Sequence, residues 1–126
     1  MLTKISCVML GCAFGGGARF YISTILAQKY GTLFPYGTMT VNILGCFLIG
    51  MISTVLNERT LGISPYISLL LTVGFLGGLT TFSSFSYDTL TLVRIGNLTG
   101  ALFNVAVNTI GGFSAALLGI FLIRFI

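Results

Sequence analysis

The stretch "VGFLGGLTTFSSFSYD", Val73–Asp88, decides how this chain is read. It opens as an apolar helix, then sets two adjacent glycines, Gly77 and Gly78, ahead of hydroxyls at Thr80, Thr81, Ser83, Ser84 and Ser86. Glycine adds backbone entropy, and β-branched and hydroxyl side chains lose rotamer freedom or compete for main-chain bonds, so helix continuity is weakest here. At membrane depth such a break frees carbonyls, which is tolerated only where protein or an aqueous cavity satisfies them. The stretch is therefore a candidate site as well as an interruption.

The rest of the chain puts it in a membrane. Of 126 residues, 56% are hydrophobic and 6% charged, whereas soluble domains carry roughly a quarter charged residues. No polar mature domain follows the first apolar segment, so that segment reads as a span and not as a cleavable signal. Three polar connections divide the chain: "AQKYGTLFPYG" (Ala27–Gly37), "NERTLGISP" (Asn57–Pro65) and "VRIGN" (Val93–Asn97). A span takes roughly 20 apolar residues, giving helices at about 3–27, 37–57, 65–93 and 98–125. Pro35 marks the entry to the second, and Pro65 suits the first turn of the third, where its missing N–H costs nothing. The expected fold is a single all-α integral membrane domain over residues 1–126, with four transmembrane helices and the third broken near Gly77–Thr81.

Composition also excludes chemistry. With no histidine or tryptophan, neither a histidine metal site nor histidine acid–base catalysis is available. Cys7, Cys12 and Cys46 fall in apolar segments without metal-ligand spacing and read as small packing residues. Glu58 and Asp88 are the two acids, 30 positions apart (88 − 58), which argues against a carboxylate-pair hydrolase. The formal charge is +4, but the six basic residues stand singly, so no polybasic cluster tracks nucleic acid or anionic headgroups. Their distribution is nearly even. Lys4, Arg59 and Arg124 flank one side of a four-span bundle, and Lys29, Arg94 and Arg19 the other. Orientation follows Lys/Arg bias; without one, the chain is expected to insert both ways and form an antiparallel homodimer.

Seventeen glycines are about twice average usage. Gly11 and Gly15 form a GxxxG pair; Gly45 and Gly50 do not; Gly111, Gly112 and Gly119 lie on the last helix. Small residues let helices approach closely where lipid gives little hydrophobic drive. Three in a row, Gly15–Gly17, are also expected to loosen the first helix around Arg19. Four short helices enclose little volume, which again favours an oligomer.

Uncharged polar residues at depth carry more information. Thr38 and Asn42 are spaced i, i+4 on the second helix, and Asn104 and Asn108 repeat the spacing on the fourth. Singly, each reads as an interhelical hydrogen bond; three helices each bearing a polar stripe read better as a transmembrane polar track. Arg19 either snorkels to the surface or concentrates anions at a pore mouth, whereas a cation pore would show acidic rings. Asp88 either reaches the far interface or caps a broken helix. Carbonyls freed by the break are able to coordinate a small cation; on a dimer axis, two per subunit would form a four-oxygen site for an ion such as Na⁺. Phe82 and Phe85 share a face of the resumed helix. They read either as ordinary aromatic packing or as ring edges, which are positive, turned toward an anion.

At these residues the chain resembles the small dimeric fluoride channels of the Fluc (CrcB) family. The matching pieces are "GGGARF" with Arg19, "GTMTVNILG" with Asn42 and, most specifically, "GGLTTFSSF"; length, span number and motif order agree throughout. The resemblance implies an antiparallel dual-topology homodimer in a microbial plasma membrane, with two fluoride pores and a structural Na⁺ at its centre, that passively exports fluoride from the cytoplasm. HF enters cells, ionises and is trapped as the anion, so no ATP site or proton relay is required. It implies Gly77 and Thr80 as carbonyl ligands of Na⁺, and Phe82 and Phe85 as pore rings. Asn42 is implied as the pore amide, Thr38, Ser84 and Asn108 as further pore residues, and Arg19 as the vestibule arginine. The fourth helix departs from the family pattern: tyrosine and serine are common where Asn104 and Asn108 stand, and Gly112 replaces a possible hydroxyl. Competing readings are a small dual-topology multidrug exporter, which needs an embedded carboxylate that the first helix lacks, and a non-transporting membrane assembly subunit.

Overall fold

The computed structural model describes residues 1–58 and 62–126. Arg59, counted above in the charge distribution, lies outside the described residues. Among the described residues, four helical segments are long and apolar enough to cross a membrane: Leu2–Tyr30, Tyr36–Glu58, Pro65–Arg94 and Leu98–Phe125. The first, second and fourth are here named α1, α2 and α5. The third divides into α3 (residues 65–79) and α4 (Phe82–Arg94). The helices thus follow the expected segments with modest extensions. α1 runs on to Tyr30 because the stop is Gly31, whose φ of 84° favours glycine and whose N–H reaches back to the Ala27 carbonyl.

The glycine run does not loosen α1, which passes through Gly15–Gly17 without interruption. The reason is packing. A Cβ at Gly11 would overlap the Leu70 carbonyl, and one at Gly15 the Phe75 carbonyl; across the interface, Gly74 faces Gly11, and Gly78 faces Cys12 and Gly16. Gly11/Gly15 and Gly74/Gly78 are two i, i+4 pairs that bring the α1 and α3 backbones into contact, and neither helix would gain by unwinding where water is absent. The second pair was not singled out from sequence, where Gly77 and Gly78 counted together as a helix breaker. At the other flank, α2 packs along the second half of α5. There Gly50 accommodates the Ala116 carbonyl, and Gly119 the Phe47 carbonyl. The same two helices are tied at their ends by a forked hydrogen bond from Arg124 to Glu58.

Two segments are wound more widely than an α-helix, Leu69–Leu76 in α3 and Val107–Gly111 in α5. Such π-helical turns are rare and often accompany functional sites; here one precedes the break and the other carries Asn108. The buried apolar core is small, centred on Val41, Leu76 and Leu79. Most large apolar side chains, including Phe14, Phe20, Phe82 and Phe113, are exposed on the protomer, the surface expected of a chain that meets lipid or a second subunit.

Candidate functional site at the broken third span

The break is two residues long. Thr80 (φ −85°, ψ 158°) and Thr81 (φ −154°, ψ 118°) are extended between α3 and α4, close to the middle of a 30-residue span. Every main-chain polar group at membrane depth needs a partner, and all four of these have one. The Thr80 N–H donates to the Leu76 carbonyl at 3.0 Å, closing α3. The Thr80 carbonyl accepts from Arg19 Nη1 at 3.3 Å. The Thr81 N–H donates to Asn42 Oδ1 at 2.8 Å, and Asn42 Nδ2 donates back to the Thr81 carbonyl at 3.1 Å. Asn42 therefore acts as a surrogate main chain from the neighbouring helix.

Two threonine hydroxyls finish the ends. Thr80 Oγ1 donates to the Leu76 carbonyl at 2.9 Å. Thr81 is the N-cap of α4, its hydroxyl accepting from the Ser84 N–H and donating to Ser84 Oγ, both at 3.1 Å. Ser84, expected along a polar track, thus lies in the cap. Close approach of α2 depends on one glycine: a Cβ at Gly45 would overlap the Thr80 methyl.

A ladder of side chains continues from Asn42. Its Nδ2 also donates to Asn108 Oδ1 at 2.8 Å. Asn108 Nδ2 donates to the side-chain and main-chain oxygens of Asn104, each at 2.9 Å. Asn104, wholly buried, donates to Thr89 Oγ1 at 2.9 Å, and Thr89 donates to the Phe85 carbonyl at 2.8 Å. Asn104 and Thr89 were not among the predicted site residues; the i, i+4 spacing of Asn104 and Asn108 was visible, but the cross-helix partner was not.

Phe82 and Phe85 begin α4 with ring centroids 5.5 Å apart at 60°, an edge-to-face pair. They differ in setting: Phe82 is 79% exposed and Phe85 only 9%. Both line an open groove of about 390 Å³, together with Asn42, Gly77, Thr80 and Asn108. The groove brings these predicted residues together. Thr38 lies elsewhere, near the α1–α2 connection, where its hydroxyl donates to Asp88 Oδ2 at 2.7 Å beside a separate cavity of about 200 Å³. Asp88 accordingly neither caps the break nor faces the groove. Arg19 does not extend away from the protein but sits on the Thr80 carbonyl.

Residues 6–120 match the family described as CrcB-like protein, Camphor Resistance (CrcB). Similar curated proteins are each called fluoride-specific ion channel FluC. That of Trichormus variabilis is 45% identical over 93% of this chain and 85% of its own length. That of Solibacter usitatus is 44% identical over 96% and 98%, and that of Chloroflexus aurantiacus 38% identical over 94% of each. With a family match over residues 6–120 and relatives 38–45% identical over more than nine-tenths of the sequence, this chain belongs to the CrcB family.

Proposed function

We propose that the protein is a fluoride-selective ion channel, not an enzyme, that lets fluoride leave the cytoplasm passively across the plasma membrane of a microbe. The observation that carries this reading is the break at Thr80–Thr81, held open in mid-span, with Phe82 and Phe85 at the mouth of α4. A small anion entering the groove meets the positive edges of the two rings, and the cationic Arg19 nearby favours an anion over a cation. A cation pathway would use acids along its wall, whereas Asp88 is engaged by Thr38 and Glu58 by Arg124, and neither lines the groove. The fluoride channels among its relatives support the choice of ion.

The working unit in this reading is an antiparallel, dual-topology homodimer with two pores. Support comes from the nearly even basic flanks and from a groove that lies open on the protomer, with Phe82 exposed along it. A second copy would close the groove and exclude lipid from the ion path. Asn42 and Asn108 are the polar side chains along the groove; Thr38, beside the second cavity, would belong to the approach to the path, Ser84 would act from the α4 cap, and Arg19 would serve the vestibule.

The reading includes a structural Na⁺ at the dimer centre, held by the carbonyls of Gly77 and Thr80. The donors fit: both are hard oxygens at the break, Gly77 in the last turn of α3 and Thr80 the first extended residue. Outside its own helix no atom lies within 4 Å of where a Gly77 Cβ would stand, and Gly77 and Thr80 both line the open groove, where a partner's carbonyls would approach. The Thr80 oxygen already accepts from Arg19, but a carbonyl has two lone pairs. Bound there, Na⁺ would supply fixed positive charge and hold the two breaks together.

The test is flux from liposomes containing the purified protein. Loaded with fluoride they should discharge without a pH gradient; loaded with chloride they should not. Equal chloride flux, or no flux of either ion, would sink the reading.

A further inference from the structure

Beyond its reciprocal pair with Thr81, the hydrogen bonds of the ladder run in one direction, from Asn42 to the Phe85 carbonyl, and its two ends lie at the N-cap and in the first turn of α4. It starts at Thr81, just before Phe82, and passes through Asn42, Asn108, Asn104 and Thr89 to the Phe85 carbonyl. A carboxamide nitrogen has two hydrogens. Asn42 uses one on Thr81 and one on Asn108; Asn108 uses both on Asn104. Both amides are engaged within the protomer where they line the groove, and Asn104 is shut off from it by complete burial. Among the described residues no buried side-chain nitrogen or oxygen lacks a partner.

We infer that Asn104 and Thr89 are positioning residues for ion selection. Through them the amide ladder fixes the α4 main chain on both sides of the Phe82–Phe85 pair, and so sets the direction in which the ring edges point. The inference rests on the fluoride-channel reading and deepens it. Asn104 and Thr89 act on the ion through the rings, since neither lines the groove. The physical reason is satisfaction in a dry interior: a half-paired buried amide is costly, whereas a fully paired chain holds one geometry. Removing one rung leaves its neighbours unpaired and lets the first turn of α4 shift. The Thr89 link is the sharpest place to test this, because its hydroxyl alone joins the ladder to the Phe85 carbonyl.

The experiment compares Thr89→Val, which keeps the shape and loses the hydroxyl, with Thr89→Ser, which keeps the hydroxyl and loses the methyl. Both are reconstituted beside wild type, and fluoride and chloride flux are measured on protein that elutes as wild type does. Thr89→Val is expected to lower fluoride flux about tenfold, the size of one buried hydrogen bond, and to narrow the fluoride-to-chloride ratio; Thr89→Ser should retain both. Asn104→Leu, close in size but without the amide, should reproduce the Thr89→Val result and decides the matter should that variant not assemble. Wild-type flux and ratio in Thr89→Val or Asn104→Leu would overturn the inference, as would equal losses in Thr89→Val and Thr89→Ser. Absence of fluoride flux in the wild-type protein would instead overturn the channel reading, so the two failures are told apart.

Discussion

Asn42 and Thr81 exchange two hydrogen bonds, 2.8 Å from the Thr81 N–H to Oδ1 and 3.1 Å from Nδ2 to the Thr81 carbonyl. A side chain of α2 thereby supplies to the Thr81 N–H what the preceding turn of a continuous helix would have supplied, and a second donor to its carbonyl. The third span stays open at mid-depth because these two groups, unpaired in hydrocarbon, have a fixed partner.

Replacing Asn42 with leucine should therefore unsettle the break itself. The Thr81 N–H, the Thr81 carbonyl and Asn108 Oδ1 would each lose this partner, at about 1–3 kcal/mol for each group left unpaired, so thermal denaturation in detergent should show a clear loss of stability, with fluoride flux falling too. Asn42→Asp keeps an acceptor for the Thr81 N–H but sets a carboxylate oxygen against the Thr81 carbonyl and Asn108 Oδ1, so it should be no more stable than Asn42→Leu. Wild-type melting in Asn42→Leu would show that the break does not depend on this pair.

Glycines of similar sequence context should differ sharply in tolerance. Gly15→Ala sets a methyl into the Phe75 carbonyl, whereas at Gly17 a Cβ meets nothing within 4 Å. Overpacking at a rigid backbone contact costs typically 1–3 kcal/mol, while removing glycine from an open helical position gains up to about 1 kcal/mol. Yield of monodisperse protein and its melting temperature should drop for Gly15→Ala and hold or rise for Gly17→Ala.

The two rings should separate by stability and coincide in function. Phe85→Ile removes buried ring carbons and should cost about 1–2 kcal/mol, whereas Phe82, 79% exposed, adds little to the protomer's own packing. Flux assays should nevertheless show that either substitution lowers fluoride discharge while the assembled protein persists. Wild-type rates in both variants would mean that the rings only pack.

Sodium removal should matter more than the Thr80 hydroxyl. Gly77 and Thr80 are assigned to the ion through main-chain carbonyls, and Thr80→Ser keeps both the carbonyl and the hydroxyl that donates to Leu76. Exchanging Na⁺ for a bulky organic cation is expected to weaken dimer assembly or flux, and Thr80→Ser to leave both near wild type. The opposite ranking would count against a central Na⁺ site.

Much of the site was legible before any coordinates. Two glycines, then two threonines, in an apolar run marked the break, and Thr80–Thr81 is where the chain is extended. Asn42 and Asn108 stood out because carboxamides are rare in spans. The connections among them were not legible. Nothing local says that Asn42 bonds to Thr81, 39 positions away, or that Asn104 reaches Thr89 across a helix interface. Gly15–Gly17 was read as a weak point for the opposite reason: intrinsic propensity counts what a glycine lacks, and the α1–α3 contact uses that lack.

By itself, the sequence determined that this chain lives in a bilayer, crosses it with four helices and interrupts the third. Those are consequences of local composition, since hydrocarbon selects apolar runs about 20 residues long and glycine with hydroxyls weakens a helix wherever it occurs. The tertiary structure alone decided how the interruption is made safe. Main-chain groups freed at mid-span must be paired within protein, and the pairing comes from Arg19, Asn42 and Leu76. Only packing of the helices at close range, allowed by Gly45 and the glycine pairs of α1 and α3, brings those partners within 3.3 Å.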